Sequence, residues 1–139
     1  MKWLNKVLYI FQLVTGIIGR HNLALRDVSE WSSSIEAFLQ TYNLLETDTG
    51  IGPILDDHGK AQFELVALTH KAHQINKISQ NIKGARISPL TFDMAENLDG
   101  VRRALINPSL SQPILVEALT QTRASFSRMK DALSEIEYK

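Results

Sequence analysis

The stretch from Leu115 to Ile136, LVEALTQTRASFSRMKDALSEI, carries the strongest structural pattern in the chain. Its seam positions recur at alternating steps of four and three residues: Leu115, Leu119, Thr122, Phe126, Met129, Leu133 and Ile136. This spacing puts every member on one face of a helix, and a heptad seam of this kind packs lengthwise along a neighbouring helix at about 20°. The stretch therefore predicts a long final helix in a bundle.

Three or four further helices are predicted ahead of it, and no strand. The first runs from about Trp3 to Gly19, with a continuation toward Leu25 left open. Two capping boxes, Asp27-Val-Ser-Glu30 and Ser33-Ser-Ile-Glu36, predict that a second helix begins at one of them. The third is predicted from Gly59 to Lys83, and the fourth from Ser88-Pro89 to Asn107. We expect an all-α fold, a single up-and-down bundle of four to five helices formed by residues 1–139 as one domain.

The overall composition excludes several classes of protein. Hydrophobic residues make up 44% of the 139 residues and charged residues 22%, which is ordinary for a globular domain. Basic and acidic residues number 15 each, so no net field attracts a polyanion and nucleic acid is not an expected partner. The chain has no cysteine, which excludes disulfides, thiolate zinc sites and a cysteine nucleophile. A cytoplasmic location is expected, with membrane association left open.

The first predicted helix is apolar on almost every side. Its segment Val7–Gly19, VLYIFQLVTGIIG, follows Lys2 and Lys6 in the outline of a signal peptide, but we prefer a retained structural helix. The apolar run is shorter than the roughly 20 residues that span a bilayer. A helix that is apolar nearly all round is either buried centrally or in contact with lipid. In its order of helices the chain resembles the membrane-acting four-helix bundles of the HeLo type, which implies membrane contact through residues 1–19 as one alternative.

The third predicted helix has a polar face with two histidines. His70 and His73 are one turn apart and project away from the main apolar stripe, together with Lys77, Phe63 and Val66. Two imidazoles at this spacing can bind a metal, but no carboxylate lies one turn away on that face and no Glu-x-x-His motif is present. Neither a metal nor a cofactor is therefore expected.

About twenty residues of this region resemble a histidine phosphotransfer (Hpt) domain. An exposed histidine on a bundle helix is followed by a pair of small residues, Gly84-Ala85, as in that family. The resemblance implies that His73, or else His70, accepts a phosphoryl group from the aspartate of a partner. The sequence departs from the family pattern at Asn76 and Lys77, where lysine and glycine are usual. Without the glycine, a docking partner meets a side chain at this position.

Catalytic motifs are otherwise missing from the sequence. It contains no glycine-rich phosphate loop, no Gly-x-Ser-x-Gly elbow and no His-Glu-x-x-His motif. We therefore expect a non-enzymatic interaction module that binds a partner protein or a second copy of itself. The expected contact residues lie on the first and last helices: Leu4, Leu8, Phe11, Leu115, Leu119, Phe126, Met129, Leu133 and Ile136.

Overall fold

The computed structural model describes the backbone of residues 2–46, 51–83, 86–106 and 112–136, and the side chains of residues 19–46, 52–83, 86–106 and 113–136. Within these ranges the chain forms helices and no strand, so the predicted all-α fold class is confirmed. The elements are α1 (Lys2–Thr41), α2 (Ile51–Asp56), α3 (His58–Ile78), a 3₁₀ turn (Ser79–Asn81), α4 (Ile87–Ile106) and α5 (Gln112–Ser134).

The four long helices form a closed ring in which each packs against two others. Helix α1 contacts α3 and α5, and α4 contacts the same two helices from the other side, while the short α2 lies against α3 and α5. Neighbours run antiparallel. On α4 and α5, for example, Asn97 meets Ser125 and Asp93 meets Arg128, so residue numbers rise on one helix as they fall on the other. The arrangement is the expected up-and-down bundle.

Helix α1 is a single continuous helix, so the prediction of a separate second helix beginning near Asp27 or Ser33 was wrong. No glycine or proline lies between Arg20 and Thr41 to interrupt it. The capping-box residues are used inside the helix instead. The Ser34 hydroxyl donates to the carbonyl of Glu30 one turn earlier, and Arg26 pairs with Glu30 at 4.0 Å. A serine in a helix interior can donate such a hydrogen bond to the preceding turn instead of capping the start of a helix.

The core is built from one stripe of each long helix. Buried residues recur every three or four positions on α1 from Ala24 to Leu39, without a break at the predicted start of a second helix. This unbroken stripe explains why the helix does not end at the capping boxes, because a break would remove apolar surface from the core. The largest side chains that are almost completely buried include Trp31, Ile35, Leu39, Leu65, Ile75, Met94, Leu98 and Leu115.

Two polar contacts hold α1 against α3 and the turn that follows it. The indole N–H of Trp31, a fully buried residue, donates to the backbone carbonyl of Leu68 at 3.1 Å. Ten residues earlier on α1, the Nδ1 atom of buried His21 accepts the backbone N–H of Lys83 at 3.0 Å. The two contacts define the antiparallel register of α1 and α3, because each joins a group that has little access to water.

We expect Trp31→Phe to lower the free energy of unfolding by about 2–3 kcal/mol, because it removes ring volume from the core and leaves less hydrogen bonding at the Leu68 carbonyl. Urea titration followed by circular dichroism measures the change. Phe63→Ala is the matched control. Phe63 is 76% exposed on α3, so its truncation should change stability by less than about 0.5 kcal/mol. Equal effects of the two substitutions would contradict the assignment of Trp31 to the core.

Candidate functional site

Three of the four large apolar side chains that lie exposed on the adjacent helices α3 and α4 are considered together, the fourth being Ile106 at the end of α4. Phe63 and Val66 of α3 are 76% and 50% exposed, and Phe92 of α4 is 56% exposed. We call the surface that carries Phe63, Val66, His70, His73 and Phe92 the α3–α4 face. Isolated exposed apolar residues are common, but several of them along the facing sides of two neighbouring helices are typical of a contact surface.

An open groove of about 800 Å³ runs between the two helices. Its α3 side includes Val66, His70 and His73, and its α4 side includes Phe92 and Arg103. Enclosed pockets of this volume suit small molecules, but this groove is open to solvent along its length. An open channel between two helices instead matches the shape of an extended or helical peptide.

The structure brings the two candidate histidines into this groove. Both His70 and His73 are exposed on α3, with Lys77 exposed one turn after His73. The predicted orientation of this polar face, with Phe63 and Val66 on the same side as the histidines, is therefore confirmed. Among the residues that the structure describes, no group of three or more histidine and acidic side chains could hold a metal ion.

Charged residues on α4 form the other wall of the groove. Asp99 binds two guanidinium groups at once, Arg102 at 2.8 Å and Arg103 at 3.1 Å. One carboxylate shared by two arginines leaves a net positive charge at that position. Glu96 also lines the groove and is exposed.

The apolar residues of the fourth helix recur at helical spacing as Phe92, Ala95, Leu98, Val101 and Leu105, a pattern that places Phe92 on the buried face and not on a surface. In the structure the buried stripe of α4 is Ile87, Thr91, Met94, Leu98, Val101, Ala104 and Leu105. Phe92 lies one position past Thr91 and points to the groove, while the smaller Thr91 is completely buried. A phenylalanine beside a threonine gives no sequence signal that the threonine is the buried one.

The heptad seam of α5 is not available to a partner in this fold. Leu115, Leu119 and Met129 have no exposed surface, and Phe126 is 5% exposed. Leu133 and Ile136 are partly buried and pack against the same core. The helices that cover the seam are α4 and α1 of the same chain. These six residues stabilise the bundle, so the contact surface proposed for them from the sequence is not present on the folded monomer.

The other predicted contact residues, Leu4, Leu8 and Phe11, have side chains outside the described residues. The backbone that carries them belongs to α1. At 1.5 Å per residue α1 is about 60 Å long, almost twice the length of α3. No helix in the described part of the chain combines the length and apolar character needed to cross a bilayer.

A second polar cluster joins α4 to α5. The hydroxyl of Ser125, a buried residue, donates to the Asp93 carboxylate at 2.7 Å and accepts from the Asn97 amide. Arg128 also binds Asp93, at 2.9 Å. No described histidine or lysine joins these groups to activate the serine. We therefore interpret the cluster as a structural connection between two helices rather than as a catalytic site.

Comparison with known proteins gives no relative for this chain. A scan against models of protein families, a search of curated proteins and a search of solved structures each returned no match.

The α4–α5 cluster makes stability depend on pH. The hydrogen bond from Ser125, together with the bond and charge of Arg128, holds the pKa of Asp93 below its ordinary value of 3.8, against the opposing effect of partial burial. Because folding lowers this pKa, the carboxylate adds stability above about pH 4 and loses it as the pH falls through the folded-state pKa.

We expect Asp93→Asn to reduce the free energy of unfolding at neutral pH by less than about 1 kcal/mol, since the Asp93 side chain is 44% exposed and solvent screens its charge. The difference from wild type should shrink toward zero near about pH 2. Urea titrations at both pH values measure it. Asp131→Asn, at an exposed position of α5, is the control and should have little effect at either pH. A difference for Asp93→Asn that does not vary with pH would contradict the assigned interaction.

Proposed function

We propose that this protein is a non-enzymatic interaction module that binds a helix of a partner protein in the groove between α3 and α4. The observation that carries the proposal is the exposure of Val66 and Phe92 on the two walls of one open groove, with Phe63 one turn before Val66. A helix that lays apolar side chains into such a groove would remove this surface from water.

The rest of the bundle supports this assignment because its core is complete without these residues. The inward stripes of the long helices bury one another, as Leu65, Leu98 and Leu119 illustrate with no exposed surface. About half of the Phe92 and Val66 side chains is left in contact with water. Large apolar side chains in water at such positions are explained more readily by binding than by stability.

A position on the groove wall allows the binding to be blocked without disturbing the core. Gly100 of α4 lines the groove, and a Cβ atom added there would meet nothing within 4 Å. A helical glycine also costs stability of about 0.5–1 kcal/mol relative to alanine, so replacing it should not unfold the protein. Gly100→Leu should extend a side chain into the groove and exclude a partner helix.

We expect a selection of random helical peptides displayed on phage to enrich binders of the full chain whose binding falls at least about tenfold with Gly100→Leu. Fluorescence anisotropy of the enriched peptides measures the affinities. Gly59→Leu is the matched control, because Gly59 is exposed near the start of α3, away from the groove, and a Cβ there also meets nothing. Peptides that bind wild type and Gly100→Leu with equal affinity would contradict the proposed site. A selection that enriches no peptide would contradict it as well.

Histidine phosphotransfer is a second candidate function, supported by the exposure of His73 on α3. Its imidazole lines the open groove and has Lys77 on the next turn. In the reaction, a ring nitrogen of His73 forms a bond to phosphorus while the bond from phosphorus to the oxygen of an acyl phosphate breaks. The carboxylate leaves with the electron pair, and the ring gives up its proton to solvent. The sequence still departs from the Hpt pattern at Asn76 and Lys77, where that family usually has lysine and glycine.

We expect incubation with acetyl phosphate or a phosphorylated receiver domain to label the wild type at an acid-labile position, if His73 is the acceptor. His73→Ala should then lose the label, while His70→Ala and His58→Ala should retain it, since all three side chains are exposed and only the acceptor is required. Intact-protein mass spectrometry at neutral pH measures the added phosphoryl group. Absence of label on the wild type, or label that both His73→Ala and His70→Ala retain in full, would exclude this function.

A further inference from the structure

The first part of α1 continues beyond the point where α3 ends. The two helices run antiparallel, with Trp31 beside Leu68 and His21 beside Lys83, which follows the 3₁₀ turn after α3. Every residue of α1 before His21 thus lies past the end of α3. At 1.5 Å per residue, residues 2–20 form about 28 Å of helix.

Helices α4 and α5 do not reach along this part of α1 either. Helix α4 begins close to the level of His21, because Thr91, one turn after its start, contacts Ser79 directly after α3. Helix α5 ends at Ser134, one turn after Lys130 pairs with Glu36 near the end of α1. The described helices of the bundle therefore accompany α1 from about residue 21 onward, and none of them lies alongside residues 2–20.

Residues 2–20 have a polar side and an apolar side by helical spacing. At 100° per residue, one side carries Lys2, Asn5, Lys6, Tyr9, Gln12, Gly16, Gly19 and Arg20, together with Leu13. The other side carries Trp3, Leu4, Val7, Leu8, Ile10, Phe11, Val14, Ile17 and Ile18, together with Thr15. At alternating steps of four and three residues, Val7, Phe11, Val14 and Ile18 lead directly into the buried residues His21, Leu25 and Val28. The apolar side thus continues the core stripe of α1 past the end of the bundle.

The charge of this part of α1 is entirely positive. Residues 1–26 contain no aspartate or glutamate, whereas Lys2, Lys6 and Arg20 fall on the polar side. The first two carboxylates of the chain pair with Arg26 instead. Two copies of the chain that joined their apolar sides here would bring basic residues together without a carboxylate to pair with them. An anionic lipid surface would attract every one of these basic residues.

We propose that residues 2–20 of α1 lie in the surface of an anionic phospholipid membrane, with the apolar side toward the acyl chains and the basic side toward the headgroups. A basic polar side opposite an apolar side that includes Trp3 and Phe11 is the pattern of a helix that lies in the membrane interface. Trp3 and Tyr9 are also residue types that concentrate at this depth. The bundle from His21 onward stays outside the membrane, so this contact is independent of the groove between α3 and α4.

The test is flotation of the full chain with vesicles of phosphatidylcholine alone, or with about one third phosphatidylglycerol. The anionic vesicles should bind at least about tenfold more tightly, because basic residues near an anionic surface add attraction. Raising the salt from about 50 to about 300 mM should reduce this difference. Tryptophan emission reports the same contact. It should shift to shorter wavelength through Trp3 and not in Trp3→Phe, because Trp31 is already fully buried.

Variants assign the contact to the two sides of the helix. Phe11→Asp should lower the affinity for anionic vesicles at least about tenfold. Leu23→Asp is the matched control, because Leu23 is 52% exposed on the same helix, level with the end of α3. Lys2→Glu with Lys6→Glu should remove the preference for anionic vesicles, and Lys60→Glu, at an exposed position near the start of α3, should retain it. Urea titration should give Phe11→Asp the stability of the wild type, because no described helix lies alongside residues 2–20.

The other outcomes would overturn the proposal. Absence of binding, equal binding to the two kinds of vesicle, or binding that is unchanged in Phe11→Asp would each do so. A large loss of stability in Phe11→Asp would place residues 2–20 against the bundle rather than in a membrane. Sedimentation in the absence of lipid that shows a dimer, dissociated by Phe11→Asp, would assign the apolar side to a second copy of the chain.

Discussion

The buried indole of Trp31 constrains how the long first helix lies in this bundle. An indole N–H without an acceptor in the core would cost about 1–3 kcal/mol, and Trp31 is fully buried. The carbonyl of Leu68 supplies the acceptor at 3.1 Å, so a register of α1 against α3 that separates this pair loses its stabilisation. The contact of His21 with Lys83, which lies beyond the end of α3 and its 3₁₀ turn, is consistent with the same register. Tyr42, the residue that follows the other end of α1, is buried as well.

The polar contacts between helices are unevenly distributed on the two sides of α4, with fewer of them on the side of the α3–α4 groove. Helix α4 is connected to α5 through the side chains of Asp93, Asn97 and Ser125, which lie partly buried between the two helices. Among the described residues, the side-chain hydrogen bond between α3 or its following turn and α4 is that of Ser79 with Thr91, beyond the end of α3. The middle of the α3–α4 interface therefore relies on apolar packing from the core side. Outside that packing, the surface carries the histidines and Phe92 in contact with solvent.

This arrangement relates the candidate functions to one another. A helix-binding groove and a phosphoryl-accepting histidine both need an accessible surface on a rigid helix, and His73 is exposed on the wall of the groove. Lys77, one turn after His73, would favour a phosphoryl group on that histidine by charge attraction. Substitution of Gly100 would block access for a bulky partner, whereas substitution of His73 would remove only the nucleophile. The two functions thus depend on different residues of the same surface.

The sequence by itself determined the helical class, the heptad seam of α5 and the outward direction of His70 and His73. These follow from periodicity, because the α-helix repeats every 3.6 residues whatever surrounds it. Whether a seam is covered by its own chain or by a partner is not encoded in its spacing. Only the tertiary structure decided that α1 and α4 cover Leu119 and Met129. It also decided that α1 continues through Asp27, since a capping box is equally compatible with a helix interior when the apolar stripe runs on. The open face between α3 and α4 likewise depends on packing, because Thr91 rather than Phe92 fills the core.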